Sequence, residues 1–360
     1  MAVILAARRT AVLPRGGAFA RLSLEDLAVP VVQACLADAG LAGVDEVICA
    51  NAIGPGGNPA RRIALAAGLD LRVAGLSIDR QCAGGLDALL LAQAMVDAGR
   101  AEVVLAGGVE SYSRRPLRLM TDPDGGPPQA YDEAPFTPWP DRNPRMADAA
   151  ARLAEEAGLS RPAQEAWAAA SHARAMARDA WPEIVPLAGQ VRDGFARPLT
   201  PRLLARAPVL CGTVTAATAA VAADAAAFAI VAADRFAGPG ALYLRAGSTL
   251  GHDPLQPGLA PVPAIAAALR QAGIGPGDLT QAEIMEAYAA QAMACVVGAG
   301  IAPAIVNPGG GALSRGHPIG ASGAILAVRL FHDLVEGHGL AAIASAGGIG
   351  TAAVFTRSGA

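Results

Sequence analysis

Short, wholly apolar runs alternate along this chain with longer stretches in which apolar residues recur at helical spacing. Val103-Val-Leu-Ala106 and Leu340-Ala-Ala-Ile-Ala344 have the composition of buried strands, and glycine pairs follow them, Gly107-Gly108 and Gly347-Gly348. A helical stretch precedes each run. It spans Gly85 to Gly99 in the first case and Gly323 to Gly337 in the second, the same fourteen-residue interval. A second pair supports the repeat. Leu36-Ala-Asp-Ala-Gly40 precedes the strand-like Glu46-Val-Ile-Cys-Ala50, and Leu269-Arg-Gln-Ala-Gly273 precedes Ala282-Glu-Ile-Met285. The economical reading is an internal duplication. Each half alternates helix and buried strand, which predicts α/β layers with a largely parallel sheet. The halves fall at 1–236 and 237–360, and the first carries an insertion over about 113–208.

That insertion is rich in Pro, Arg and Asp and poor in strand patterns. Amphipathic helices are predicted over 147–158 and 162–180, with Ser160 as N-cap of the second. A helical insertion of this kind can carry substrate contacts or act only as a packing subdomain. The longest apolar run, 216–233, is dominated by Ala and broken by Asp224, so it reads as a buried helix rather than a membrane span.

Composition narrows the classes. With 360 residues and 53% hydrophobic content the chain buries a large core, and at 4% aromatic that core is aliphatic. A net charge of −3 argues against nucleic-acid or membrane-surface partners. The start, Met1 to Arg8, lacks a signal-peptide pattern. Five cysteines, odd in number and without CxxC spacing, argue against a disulfide framework or a metal site and for a cytoplasmic protein. The chain has no lysine, which excludes Schiff-base, pyridoxal-phosphate and P-loop chemistry.

The most informative cysteine is Cys82, in Ser77-Ile-Asp-Arg-Gln-Cys82-Ala-Gly-Gly-Leu86. It lies just before a predicted helix, whose free N–H groups and positive dipole end favour thiolate. The glycines after it would admit a substrate to the backbone. The competing reading is a buried thiol acting as a small hydrophobe. His317, in Arg315-Gly-His-Pro-Ile-Gly320, starts the corresponding turn of the second repeat. Duplication therefore puts Cys82 and His317 on matching edges, where they can form a thiolate–imidazolium pair across a cleft.

Gln81-Cys82-Ala-Gly-Gly-Leu86, Gly107-Gly-Val-Glu-Ser111, Gly212-Thr-Val-Thr215, Glu286-Ala-Tyr-Ala-Ala-Gln291 and the run Gly309 to Gly323 together resemble the thiolases, acyl-CoA C-acetyltransferases. The resemblance extends from residues 6–10 to Gly350. It implies a duplicated five-layered αβαβα fold with a helical loop domain, an acyl-CoA substrate without a permanently bound cofactor, and a homodimer or homotetramer. It also implies Cys82 as acyl-accepting nucleophile and His317 as its activating partner. Backbone N–H groups of Cys82, Ala346 and Gly347 would form an oxyanion hole, and Arg145, Met146, Ala220 and Met285 would contact substrate.

The chain departs from that pattern at two places. Thiolases carry a second cysteine as acid/base; alignment on Ala346-Gly-Gly-Ile-Gly350 puts Ala344 there, and Ser345 is expected to point to the opposite face. Alanine can neither abstract an α-proton nor protonate an enolate. The family's Asn-Glu-Ala-Phe is here Met285-Glu-Ala-Tyr288, which removes a side-chain donor from an oxyanion site. Such a loss typically raises a barrier by about 2.7–4 kcal/mol. The expected substitute base is Glu286, ahead of Cys211 and Cys295. The reading is a thiolase-like acyltransferase forming acyl-Cys82, in which ordinary Claisen or thiolysis activity is not expected. The alternatives are a C–C lyase or CoA-ester hydrolase working with an accessory subunit, and a non-catalytic acyl-CoA-binding homologue.

Overall fold

The computed structural model of the chain describes residues 1–357. A ten-stranded mixed sheet forms its frame. Its spatial order is Leu279–Ile284, Gly337–Ser345, Ile349–Arg357, Leu242–Gly251, Ala2–Arg9, Ala223–Ala233, Val103–Ser111, Glu46–Ala50 and Leu76–Ile78, with the short Leu13–Pro14 strand also paired to Ala223–Ala233.

The duplication is visible in the pairing. Glu46–Ala50 runs parallel to Val103–Ser111, and Leu279–Ile284 runs parallel to Gly337–Ser345. In each half the next strand is antiparallel, Ala223–Ala233 in the first and Ile349–Arg357 in the second. The strands after those, Ala2–Arg9 and Leu242–Gly251, are antiparallel too and pair with each other at Ala2–Ile4. The expectation of a largely parallel sheet is therefore corrected. Only the outer strands are parallel, because helices connect them. The Gly337–Ser345 and Ile349–Arg357 strands are joined by a tight turn through Gly347 and Gly348, at φ 78° and 75°, and such a turn joins only antiparallel neighbours.

Helices Gly84–Asp97 and Ile319–Asp333 pack on each other between the two halves of the sheet, in one aliphatic core built from both. Leu24–Ala39 covers the outer face of the first half and Pro261–Ala272 that of the second, each with its own core. These are the five layers. Ser23 starts Leu24–Ala39 with a capping box, and Gly40 ends it in the left-handed region at φ 63°.

The run over 216–233 is not a helix. Residues Ala223–Ala233 form a fully enclosed central strand, paired on both sides. Alanine favours helix in isolation, but a strand buried on both faces shows no alternation, so local pattern cannot separate the two. The insertion contains the expected helices as Met146–Glu156 and Arg161–Met176, and Ser160 accepts from the Ala163 N–H. It also contains a small hairpin, Arg118–Met120 with Gln129–Tyr131. No described helix is long and apolar enough to cross a membrane.

Candidate active site

Cys82 sits in a one-turn 3₁₀ segment, Gln81–Ala83, that runs into the Gly84–Asp97 helix. Gln81 is left-handed at φ 45°, a strained backbone for a side-chain-bearing residue, and its N–H donates to the Asp79 carboxylate at 2.8 Å. Ser345 pins this turn from the neighbouring strand. Its hydroxyl accepts from the Ala83 N–H at 2.8 Å and donates to the Arg80 carbonyl at 3.0 Å. The glycines after Cys82 serve packing rather than substrate approach. A Cβ on Gly85 would meet Ala324 N at 2.7 Å, and one on Gly323 would meet Leu86 N at 2.5 Å. The two central helices therefore touch backbone to backbone, and this close crossing brings their N-terminal ends together.

His317 is presented by the same geometry. Gly316 turns at φ 110°, where a Cβ would strike Ala223, and the His317 N–H donates to the Val221 carbonyl at 2.7 Å. Its Nε2 lies 3.2 Å from Cys82 Sγ, and its Nδ1 lies 2.6 Å from Ser322 Oγ. With Nδ1–H donated to Ser322, Nε2 turns its lone pair to the thiol.

The charge state differs from the expected ion pair. Burial pushes the Cys82 thiol up to about 12, and the Glu110 and Asp79 carboxylates push the same way; its own N–H and the Ser345 hydroxyl oppose them. Burial lowers His317 to about 4, helped by the Arg315 charge. The resting pair is thiol and neutral imidazole. Desolvation of both charged forms outweighs the helix N-terminus.

Cys82 and His317 open into a cleft of about 470 Å³. Met146, Ala150, Leu153 and Pro257 give it an apolar wall, and Ala220, Ala344 and Ala346 also line it. Ala344 faces the cleft where a second acid/base thiol is expected. A wider depression of about 660 Å³ lies elsewhere, between Asp148, Arg152, Cys211 and Thr213, and contains neither Cys82 nor His317.

Several expected site residues do not reach the cleft. Met285 is 1% exposed and packs in the central core. Arg145 precedes the Met146–Glu156 helix as its N-cap, and only Met146 lines the cavity. Gly347 shapes the turn behind Ala346. Glu286 is the main correction: it is fully buried, and neither oxygen faces Cys82. Oε1 accepts from Trp167 Nε1 and Asn307 Nδ2, both at 3.0 Å. Oε2 accepts from the Ser171 hydroxyl at 2.7 Å and the Leu313 N–H at 3.2 Å. Four donors occupy the carboxylate, so Glu286 anchors the insertion to the loop before His317 and is a positioning residue. Cys295 is buried in the second-half core and pushed up to about 12, and Cys211 lines the other depression.

Sequence reasoning missed Ser322 as the His317 partner, Ser345 as the Cys82-turn anchor, and the polar side chains Tyr112 and Gln81 in the cleft. Ser322 was traceable, one turn beyond His317 in the glycine-rich motif. Tyr112 carried no local signal.

Comparison with known proteins accords with this geometry. Residues 2–235 match the family model "Thiolase, N-terminal domain", and residues 241–357 match "Thiolase, C-terminal domain". A Staphylococcus aureus protein provisionally named acetyl-CoA C-acetyltransferase VraB is 34% identical over 99% of this chain and 99% of its own length. Its Staphylococcus haemolyticus counterpart is 35% identical, over 99% of this chain and 98% of its own. The crystal structure of the Bacillus anthracis acetyl-CoA acetyltransferase superposes with a TM-score of 0.90 at 32% identity, covering 99% of this chain and 98% of that one.

Proposed function

This chain belongs to the thiolase family and is a thiolase-type acyltransferase, and from that premise we propose that it takes an acyl group from an acyl-CoA onto Cys82 and transfers it without a second catalytic thiol. The observation that carries the reading is the 3.2 Å contact between Cys82 Sγ and His317 Nε2 in a cleft that Ala344 also lines. Sγ attacks the thioester carbonyl carbon as its proton passes to Nε2. The new oxyanion is held by the backbone N–H groups of Cys82 and Ala346, residues that both line the cleft. The tetrahedral adduct collapses, the C–S bond to CoA breaks, and the CoA thiolate recovers the proton from Nε2. Because both resting groups are neutral, the imidazolium forms only as Sγ attacks, when the oxyanion charge develops beside it, and is discharged when the CoA thiolate takes the proton.

The second half-reaction is constrained by Ala344. Among the described residues, Cys82 is the one cysteine lining the cleft, and Glu286 is saturated by its four donors. A carbon acceptor must therefore arrive already as a nucleophile, or the acceptor is an oxygen or nitrogen nucleophile whose proton His317 can accept. We also propose a homodimer. The unpaired edge strand Leu76–Ile78, with Leu76 and the nearby Leu71 exposed, supports it.

Intact mass after incubation with acetyl-CoA and longer acyl-CoAs tests the reading. The expected result is an acyl adduct that is absent from Cys82→Ser, together with no thiolysis of acetoacetyl-CoA. The absence of any adduct with every acyl-CoA overturns it.

A further inference from the structure

The helix that begins beside His317, Ile319–Asp333, has no cap of its own, because its N-cap residue Pro318 offers no side-chain acceptor. Gly320 is the second residue of that helix, and its N–H is one that a capping side chain ordinarily accepts. Here the acceptor comes from the other half of the molecule. Glu110 is fully buried and next to last in the Val103–Ser111 strand, and its Oε2 takes the Gly320 N–H at 3.1 Å. The same oxygen accepts from the Ala52 N–H at 2.9 Å. Oε1 accepts from Asn51 Nδ2 at 2.7 Å and from the Ile53 N–H at 3.3 Å. Ala52, Ile53 and Ile319 line the cleft together with His317. One carboxyl therefore joins a wall segment of the first half to the helix start of the second.

Backbone packing sets the place of that helix start. A Cβ on Gly108, which shares a strand face with Glu110, would meet Gly320 O at 2.1 Å, and one on Gly85 would meet it at 2.8 Å. Gly320 thus sits in a notch between the first-half strand and the Cys82 helix, and the Glu110 carboxyl closes the notch. The Cys82 helix is held in the reciprocal way. Gly84–Asp97 also begins without a side-chain cap of its own, and Ser345, the last residue of Gly337–Ser345, accepts from the Ala83 N–H. Each helix start is capped by a strand end of the opposite half. Burial pushes the Glu110 carboxyl up to about 7, against the pull of the Ala52, Gly320 and Ile53 N–H groups. A proton on Oε1 leaves both Oε2 contacts in place, so the cap needs the oxygen rather than the charge.

We propose that Glu110 is a positioning residue for His317, capping across the two halves the helix whose start carries that imidazole, so that the alignment of Nε2 on Cys82 Sγ depends on the reach of the Glu110 side chain and not on its charge. The effect on acylation rests on the acyl-transfer reading of the cleft; the effect on the Cys82–His317 pair does not.

Two variants separate reach from charge. Glu110→Asp keeps the charge and withdraws the oxygens by one methylene. Glu110→Gln keeps the reach and loses the charge. Acylation of Cys82 by acetyl-CoA and its alkylation by iodoacetamide are both timed by peptide mass, for each variant alone and combined with His317→Ala. Glu110→Asp should slow both reactions by about 10²-fold, the effect of a misplacement near 1 Å. Glu110→Gln should stay within about threefold of the parent in both. In the His317→Ala background, Glu110→Asp should change either rate by less than about twofold, because a positioning residue acts through the imidazole it holds. A general structural lesion would persist in that background. Three results overturn the proposal: parental rates in Glu110→Asp, an undiminished Glu110→Asp effect without His317, or a Glu110→Gln variant as slow as Glu110→Asp. A Glu110→Gln variant faster than the parent by more than about tenfold overturns it too, since that assigns Glu110 to a charge acting on the thiol. If Glu110→Asp does not fold, the Glu110→Gln rates decide alone. If the parent forms no acyl adduct, acyl transfer fails, and the alkylation rates still decide the role of Glu110.

Discussion

At the residue scale, the chemistry depends on two groups held neutral. A thiol at about 12 and an imidazole at about 4 leave the pair uncharged across the neutral range. His317 becomes useless as a proton acceptor only when it is itself protonated, which requires acid near its lowered value rather than near 6.5. Acylation of Cys82 by acetyl-CoA should therefore be flat from about pH 6 to 9 and fall only near about pH 4. Quenched-flow intact mass across that range checks this, and an acid limb centred near 6.5 would contradict it. Ala344 carries the second prediction. Its side chain borders the cleft, so Ala344→Cys adds a thiol where acid/base work is missing. Acetoacetyl-CoA thiolysis should rise by about 10²-fold over the parent, read by loss of the acetoacetyl-CoA absorbance. Met285→Asn should add little, because Met285 packs in the core.

At the scale of elements, the site is the crossing of two glycine-started helices and the strand that anchors one of them. Ser345 holds the turn that carries Cys82, and both its hydrogen bonds are to backbone. Ser345→Ala leaves the Ala83 N–H buried without that acceptor, a loss of about 1–3 kcal/mol. It should lower the urea midpoint and slow Cys82 acylation together. A variant with slowed acylation at unchanged stability would show that the hydroxyl acts on the thiol alone. Ser345 was expected to point away from the cleft. It lines the cleft as Ala344 does, with its hydroxyl spent on the Cys82 turn.

At the scale of the molecule, a buried charge network ties the insertion to both halves. Glu183 accepts from Arg9 at 3.0 Å, from Arg329 at 3.1 Å and from Arg178 at 3.0 Å. Arg9 belongs to the first strand, Arg329 to a central helix of the second half, and Arg178 and Glu183 to the insertion. Burial would raise the Glu183 carboxyl, but the three guanidinium charges together hold it far below the usual carboxylate range. Its folded value is lower than its unfolded one, so its contribution is present above about pH 4.5 and lost as pH falls below that. Glu183→Gln strands buried arginine charge and should cost about 3–5 kcal/mol at pH 7. Its stability should also change less between pH 5 and 3 than the parent's. Urea unfolding at those pH values checks both.

The sequence by itself determined the duplication, most of the helices, four of the strands that pair in parallel, and the pairing of Cys82 with His317. Those follow from local pattern and from repeat symmetry: the same glycine–helix–glycine–strand rhythm must fold twice in the same way. It did not separate helix from strand at Ala223–Ala233, because residues buried on both faces show no periodicity. Nor did it decide what burial decides. The neutral state of Cys82 and His317, the inward turn of Met285 and the four donors on Glu286 all depend on chain segments far apart in sequence. Tyr112 was equally silent, and the Glu286–Gln291 motif does not show that Gln291 Nε2 is buried without a partner. A donor left without an acceptor is a property of everything that surrounds it, and only the assembled walls of the cleft reveal it.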